Sequence, residues 1–254
     1  MRIVITGAAG NIGRIATEEL EEDHDLVLID RRRVAGRSSI VGDLSSADSA
    51  PSRRGRGARW ETAFADADVV LHLAAVLHGA SFRAGGWARI RRDNIDATWN
   101  VLEAAAWHRV PRVVMGSSGW AIRATDHDRE GSPGHEVGIG SDAAPRPLTT
   151  YGLSKAIGEI AGRMFVDEGR LQTLIAVRIG HCPPEGRPSL NPWLRRRWIG
   201  RRDMASLLRR CVEADVTGYH VVYGVSVPDS PYDLTHTRRL LDWLPEQGSE
   251  ARPD

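Results

Sequence analysis

The chain is predicted to adopt an α/β fold built on a doubly wound parallel sheet. Three observations lead to this prediction: short apolar segments alternate with segments of helical periodicity, a glycine-rich turn joins the first strand to the first helix, and polar residues follow several strands. The strand segments are continuously apolar, as expected of parallel strands covered by helices on both faces. At 254 residues the chain is long enough to bury a large core.

The predicted strands and helices follow each other in regular succession. The strands are short runs rich in Val, Ile and Leu, at residues 2–6, 26–30, 39–41, 69–75, 112–118, 173–178 and 219–223. Apolar residues recur with helical spacing over residues 11–22, 87–107, 151–167 and 203–214. Residues 45–59 are predicted to form a surface connection. Residues 121–147 lack an apolar period, and both a lid and a disordered segment are compatible with that.

Composition excludes several classes of protein. The 34 Lys and Arg residues nearly balance the 33 Asp and Glu residues, which argues against a dedicated nucleic-acid or membrane-surface role. No apolar run is long enough for a transmembrane helix, and the N-terminal MRIVITG is typical of a strand rather than a signal peptide. The two cysteines, Cys182 and Cys211, predict no disulfide framework and suit a reducing cytoplasm.

The glycine-rich turn is the first motif that indicates a ligand. Residues 6–13, TGAAGNIG, follow a strand and open a helix, which is the context of a dinucleotide-binding turn. Gly7 permits the tight turn, Gly10 lets the backbone approach a pyrophosphate, and Gly13 lets helix and strand pack closely. The helix N-terminus then offers amides to the phosphates. We therefore expect a Rossmann-type nucleotide-binding domain.

The second strand ends in Asp30, 23 residues after Gly7. A carboxylate at this position accepts hydrogen bonds from the adenosine ribose and repels a 2′-phosphate, which favours NAD over NADP. Arg31, the first of three arginines, is a candidate to stack on adenine or to hold a phosphate. Asp43 is a candidate for the adenine edge, although a turn aspartate is equally compatible with its spacing.

Tyr151 and Lys155 lie four residues apart, so a helix would place them on one face. A nearby ammonium is expected to lower the pKa of a phenol, and the pair can then move a proton to or from a substrate hydroxyl. Lys155 is also the only lysine of the chain. Arginine holds its proton too tightly for such chemistry, which makes this position informative.

Polar residues near other strand ends complete the candidate site. Ser117 and Ser118 end a strand on the side of the glycine turn, where open α/β sheets bind ligands. Asn94 lies in the long helix and is predicted to make a backbone or water contact near the lysine. His127 and His135 lack metal-ligand partners, and we expect no metal.

Taken together, these motifs resemble the short-chain dehydrogenase/reductase superfamily of the extended, epimerase/dehydratase kind. The matching segments are TGAAGNIG at 6–13, Asp30, GDL at 42–44, HLAA at 72–75, Asn94, SS at 117–118 and YGLSK at 151–155. The resemblance implies that Ser118, Tyr151 and Lys155 are catalytic, with Asn94 assisting, and that Lys155 binds the nicotinamide ribose. It implies a cofactor set of Gly7, Gly10, Asn11, Ile12, Gly13, Asp30, Arg31, Asp43, Leu44, Leu73, Ala74, Ala75 and Lys155.

A narrower similarity is to uronate dehydrogenases, carried by residues 151–165, 177–185 and 220–226. These enzymes oxidise glucuronate or galacturonate at C1 with NAD. This chain has Leu77, Gly119 and His181 where that family has serine, asparagine and serine, and Arg187 is the nearest candidate for its carboxylate-binding arginine. The expected substrate-binding residues are Leu77, Ser117, Gly119, His181 and Arg187, in an altered pocket.

These observations predict an NAD-dependent oxidoreductase that transfers hydride between nicotinamide and a small carbinol or hemiacetal substrate. One alternative is a redox-neutral, NAD-retaining epimerase or dehydratase, or a biosynthetic tailoring enzyme that acts on a less polar substrate. A non-catalytic dinucleotide sensor is a further alternative. Residues 1–180 are assigned to the nucleotide-binding domain with the Tyr–Lys pair, and residues 181–254 to a small substrate-binding region. The resemblance implies a homodimer or larger homo-oligomer.

Overall fold

The computed structural model describes residues 1–46, 60–77, 86–125 and 138–248. It confirms the predicted α/β fold: seven parallel strands form one sheet in the order β3-β2-β1-β4-β5-β6-β7. The strands are β1 (Arg2–Thr6), β2 (Asp25–Asp30), β3 (Ile40–Val41), β4 (Val69–His72), β5 (Arg112–Ser118), β6 (Thr173–Ile179) and β7 (Gly218–Gly224).

The strand order reverses between β1 and β4, and this reversal creates the crevice where open α/β sheets bind ligands. Thr6 at the end of β1 pairs in register with Ile29 on one side and His72 on the other. The carboxyl ends of these three strands therefore meet at one edge. The glycine turn follows β1 directly and lies at this crevice.

Helices cover both faces of the sheet, and the described helices are α1 (Asn11–Leu20), α2 (Gly86–Ile90), α3 (Ala97–Trp107), α4 (Thr150–Asp167), α5 (Pro192–Arg195), α6 (Arg201–Glu213) and α7 (Thr235–Leu241). A π-helical segment, Arg91–Asp96, joins α2 to α3. The single helix predicted over 87–107 is therefore interrupted. A second difference concerns β4, which ends at His72 rather than at 75, because the chain leaves the sheet there to line the crevice.

Two apolar layers explain why the strands lack a polar face. Ile3 and Ile5 of β1 point into a core with α1 and α6, whereas Val4 points into the opposite core with α3 and α4. Each strand is thus buried on both sides. The last strand, β7, pairs along its whole length with β6, so residues 218–224 complete the same sheet.

Several predictions concern residues outside the described ranges. These residues are 47–59 of the expected surface connection and 126–137 of the expected lid or disordered segment. The second range includes His127 and His135. Cys182 and Cys211 are free cysteines, as predicted. Within the part of the chain that the structure describes, no helix is both long and apolar enough to cross a bilayer.

Candidate active site

The glycine turn has the tight geometry that its sequence predicts. Gly7 has a φ of +73°, and a Cβ at this position would lie 2.5 Å from the backbone nitrogen of Ala74. A Cβ at Gly13 would lie 2.2 Å from the carbonyl oxygen of Gly7. Gly10 is the N-cap of α1, and no side chain caps the helix there. The first-turn amides therefore remain available to an anionic group.

An open cleft of about 420 Å³ extends from this turn. Nine of the predicted cofactor residues line it: Gly7, Gly10, Asp30, Arg31, Asp43, Leu44, Leu73, Ala74 and Ala75. Asp30 is held in place because its two carboxylate oxygens accept hydrogen bonds from the backbone N–H groups of Ala9 (3.0 Å) and Arg32 (2.9 Å).

Asn11, Ile12 and Gly13 belong to the first turn of α1 and are not among the residues that line the cleft. The Asn11 side chain donates to the carbonyl oxygen of Cys182 at 3.0 Å. This hydrogen bond connects the start of α1, next to the glycine turn, with the segment after β6.

The predicted pair, Tyr151 and Lys155, lies in the first half of α4. Thr149 caps this helix by accepting a hydrogen bond from the Gly152 N–H at 3.0 Å, which places Tyr151 in the first turn and Lys155 one turn later. The Lys155 Nζ donates to the carbonyl oxygen of Gly116 at 2.7 Å, on the adjacent strand β5. It lies 5.9 Å from the centroid of the Tyr151 ring.

Burial is the largest influence on the pKa values of Tyr151 and Lys155. It raises the pKa of Tyr151 to about 12, although a hydrogen bond with Ser118 acts in the opposite direction. It lowers the pKa of Lys155 to about 8, with Glu159 acting to raise it. The expectation that the ammonium lowers the pKa of the phenol is not met in this structure. The reason is that desolvation penalises the phenolate, and this effect outweighs that of the hydrogen bond with Ser118.

Asn94 occupies the π-helical segment and makes the predicted backbone contact. Its Oδ1 accepts from the Val76 N–H at 2.8 Å, and its Nδ2 donates to the Val76 carbonyl oxygen at 3.2 Å. Its Nδ2 also contacts the hydroxyl of Ser154, next to Lys155, at 3.1 Å. Asn94 therefore holds the segment after β4 against α4. π-Helical turns are frequent at functional sites.

Ser117 and Ser118 point to opposite sides of β5, as successive strand residues do. The Ser117 hydroxyl donates to Glu159 Oε1 at 2.5 Å. The same carboxylate receives the guanidinium of Arg178 through contacts of 3.0 and 2.8 Å. Ser117 thus belongs to a buried ion-pair network, whereas Ser118 faces a cavity.

That cavity has a volume of about 40 Å³ and is lined by Ser118, Gly119, Trp120, Ile179, Gly180, His181, Trp193, Leu194, Arg197 and Tyr232. Burial lowers the pKa of His181 below its ordinary value, although the nearby Glu185 acts in the opposite direction. Of the other expected substrate residues, Leu77 is 77% exposed and Arg187 is exposed, and neither is among the lining residues.

Seven residues of this cavity are not among the predicted catalytic or substrate-binding residues: Trp120, Ile179, Gly180, Trp193, Leu194, Arg197 and Tyr232. Tyr232 stacks on Tyr223 with 4.6 Å between ring centroids, and a Cβ at Gly119 would lie 2.2 Å from its hydroxyl. Arg197 packs on the Trp193 ring at 4.0 Å.

Residues 193–198 hold three consecutive arginines between two tryptophans. Trp198 and Arg197 of this segment are buried. Arg197 is buried because it packs on Trp193. A run of arginines carries no signal that singles out one member.

The described residues contain no group of three or more His, Cys, Asp or Glu side chains that is arranged to hold a metal ion. Among the described residues, the polar side chains near the crevice include those that line the cleft and those of Ser118, Tyr151 and Lys155.

Proteins of known activity or known structure resemble this chain along nearly its whole length. Residues 3–190 match the NAD dependent epimerase/dehydratase family. An L-arabinose 1-dehydrogenase (NAD(P)(+)) of Haloferax volcanii is 31% identical over 98% of this chain and 97% of its own length. A uronate dehydrogenase of Agrobacterium fabrum is 31% identical over 98% of this chain and 86% of its own. The crystal structure of uronate dehydrogenase from Agrobacterium tumefaciens superposes with a TM-score of 0.77, at 28% identity, over 100% of this chain and 90% of that one.

The chain therefore belongs to the NAD dependent epimerase/dehydratase family. Within this family it is an NAD-dependent oxidoreductase of the extended short-chain dehydrogenase type, which acts on a CH–OH group.

Proposed function

We propose that the protein oxidises the anomeric hydroxyl of a small free sugar, an aldose or its uronic acid, to the corresponding lactone. The observation that carries this proposal is the hydrogen bond between Ser118 and Tyr151 at the carboxyl end of β5, where Ser118 faces the small cavity. The names of the relatives support it, because they include an L-arabinose 1-dehydrogenase and a uronate dehydrogenase.

The residues present fit NAD. The uncapped N-terminus of α1 suits a pyrophosphate, and the carboxylate of Asp30 suits ribose hydroxyls in the same cleft. When bound, NAD would supply the acceptor for the hydride of the carbinol carbon.

In this proposal Tyr151 acts as the phenolate and takes the hydroxyl proton to become the neutral phenol that burial favours, while the hydride leaves the same carbon and a C=O bond forms. Ser118 donates a hydrogen bond to the substrate oxygen and so positions it against the phenol. Lys155, fixed to the carbonyl oxygen of Gly116, supplies positive charge beneath the site and orients the ribose of the cofactor. Asn94 keeps the backbone at Val76 in place beside this group.

Residues 181–254 form the substrate-binding region in this proposal. They contribute His181, Trp193, Arg197 and Tyr232 to the cavity beside Ser118. Its volume of about 40 Å³ is small even for a free sugar, and it argues against a nucleotide sugar. Leu77, Ser117 and Arg187 take no direct part in this arrangement, since none of them lines the cavity.

The test is a comparison of free sugars with their 1-O-methyl glycosides. Purified protein and NAD are mixed with L-arabinose, D-glucose, glucuronate or galacturonate, and the absorbance of reduced nicotinamide is followed. We expect reduction with at least one free sugar and none with its methyl glycoside, which lacks the anomeric O–H. Equal rates with a sugar and its glycoside, or no rate with any sugar by a protein that binds NAD, would contradict the proposal.

We also propose a homodimer that pairs α3 and α4 with their copies. Five large apolar side chains on these helices and on α2 are exposed, at 37% to 61%: Trp87, Trp99, Trp107, Leu153 and Ile160. Such a set is typical of an interaction surface. Ile160→Arg is expected to convert a dimer to a monomer in sedimentation experiments, whereas a wild-type protein that sediments as a monomer would contradict the proposal.

We place the enzyme in the cytoplasm, because Cys182 and Cys211 are free and such thiols persist in a reducing compartment. Cell fractionation with a specific antibody tests this assignment. Recovery with the membrane or extracellular fraction would overturn it.

A further inference from the structure

A group of three arginines surrounds one buried carboxylate at the edge of the cofactor cleft. Asp93, in the π-helical segment, has a side chain that is 1% exposed. Its Oδ2 lies 3.0 Å from Arg31 Nη1 and 3.5 Å from Arg89 Nε, and its Oδ1 lies 2.8 Å from Arg92 Nε. Burial by itself would raise the pKa of Asp93, but the hydrogen bonds from Arg92 and Arg31 hold it below its ordinary value. The carboxylate is therefore charged at neutral pH.

The position of this group bears on the choice of cofactor. Arg31 follows Asp30 directly, and both residues line the cleft together with Arg89 and Asp93. NADP differs from NAD by a phosphate on the ribose hydroxyl that such an acid recognises, and an arginine nearby is what accommodates that phosphate. Arg31 has the right charge and location for this task, but its guanidinium is paired with Asp93. Arg31 also lies close enough to Asp43 to lower the pKa of that carboxyl.

We propose that Asp93 makes the enzyme selective for NAD by holding Arg31 in an ion pair, so that its guanidinium does not serve a 2′-phosphate. Asp30 disfavours the phosphate by repulsion, and Asp93 removes the cation that would offset this repulsion. Arg31 could still turn from Asp93 to a 2′-phosphate, because its side chain is 43% exposed and has a long, flexible stem. This inference concerns cofactor choice and does not depend on the proposed sugar substrate.

The test measures dissociation constants for NAD and NADP by titration calorimetry, without substrate. Asp93→Asn keeps the shape of the side chain and removes its charge. We expect this variant to lower the ratio of the NADP constant to the NAD constant about tenfold, which corresponds to about 1.4 kcal/mol. The double variant Asp93→Asn/Arg31→Ala is expected to restore the wild-type ratio, because the released cation is then gone.

Asp96→Asn is the matched control, since it removes the same charge from the same π-helical segment at a residue that does not line the cleft. Its ratio should equal that of the wild type. An unchanged ratio in Asp93→Asn, or a shift that persists in the double variant or appears equally in Asp96→Asn, would overturn the proposal.

Arg31→Ala alone keeps the test decisive if Asp93→Asn does not fold, because Arg31 is partly exposed. We expect the ratio to stay within about twofold of the wild type, since a cation that is already held by Asp93 contributes little to phosphate binding. A selective loss of NADP binding would show that Arg31 already serves the phosphate, and the proposal would be wrong.

Discussion

Tyr151 carries the proton transfer that we propose, and burial sets its chemistry. Desolvation favours the neutral phenol, while Ser118 provides the polar contact that favours the phenolate. The balance of these effects, rather than the lysine alone, defines how readily the phenol exchanges a proton.

Tyr151→Phe removes the hydroxyl and leaves the ring in place. We expect kcat to fall by about 10²- to 10⁴-fold, the usual contribution of a positioned acid or base. The dissociation constant for NAD should stay unchanged. Steady-state kinetics and calorimetry check both quantities. Tyr219→Phe on β7 is the control and should keep full activity. A Tyr151→Phe enzyme with near wild-type kcat would disprove the assignment.

Lys155 offers a direct measurement because it is the only lysine in the sequence. Lysine-selective ¹³C labelling therefore yields a single ε-methylene signal for titration by NMR. We expect a midpoint near pH 8. A midpoint near the ordinary value of 10.5 would show that burial does not control this group.

The same shift predicts the pH dependence of stability. Because the folded-state pKa of about 8 lies below the ordinary 10.5, the unfolded chain binds more protons between these values. The contribution of Lys155 to the free energy of unfolding therefore rises with pH across this window, by about 3 kcal/mol at most. Denaturation of the wild type and of Lys155→Met over this range measures the difference. A parallel pH dependence in the two proteins would contradict the prediction.

Among the secondary-structure elements, β6 and α4 are joined by the ion pair of Arg178 and Glu159, whose side chains are each 2% exposed. Arg178 also donates to the carbonyl oxygens of Ser141 and Ala143, at 3.4 and 3.0 Å. Through these contacts Arg178 holds both α4 and the segment before it against the sheet.

Arg178→Met leaves the Glu159 carboxylate buried without its partner. We expect a loss of about 3–5 kcal/mol in the free energy of unfolding, measured by chemical denaturation. Arg163→Met breaks an exposed pair with Asp167 on α4 and should cost less than about 1 kcal/mol. Equal losses in the two variants would show that burial does not decide the strength of this contact.

The turn after β5 is coupled to the segment before α7 through Gly119 and Tyr232. Gly119→Ala would force a Cβ to within 2.2 Å of the Tyr232 hydroxyl, so we expect a cost of about 1–3 kcal/mol in stability. The cost should fall sharply in a Tyr232→Leu background. Gly158→Ala, where the nearest atom lies at 3.4 Å, is the control. An additive double variant would exclude the coupling.

At the scale of the whole molecule, the strands and the glycine turn were predictable because local sequence encodes them. Continuous apolar runs define buried parallel strands, and Gly7 has a backbone conformation that favours glycine. The π-helical segment at Arg91–Asp96 was not predictable, since apolar periodicity does not reveal a local change in hydrogen bonding. The roles of Asp93 and Tyr232 were missed because tertiary packing, not sequence spacing, brings them to the crevice.

The site as a whole has an open cleft, which we assign to the cofactor, and a separate small cavity, which we propose for the substrate, with the Ser118–Tyr151 contact at the carboxyl end of β5. In a net oxidation the hydrogen on the carbinol carbon must leave the substrate permanently. A redox-neutral reaction would return it to the sugar. The fate of that hydrogen therefore separates the two kinds of chemistry.

The most direct measurement uses a sugar carrying deuterium at C1, chosen from those that the enzyme oxidises, with NAD and mass spectrometry of both products. We predict that one deuterium appears in the reduced nicotinamide and none at C1 of the lactone. Deuterium that stays in the sugar product or exchanges into water would contradict hydride transfer from the anomeric carbon.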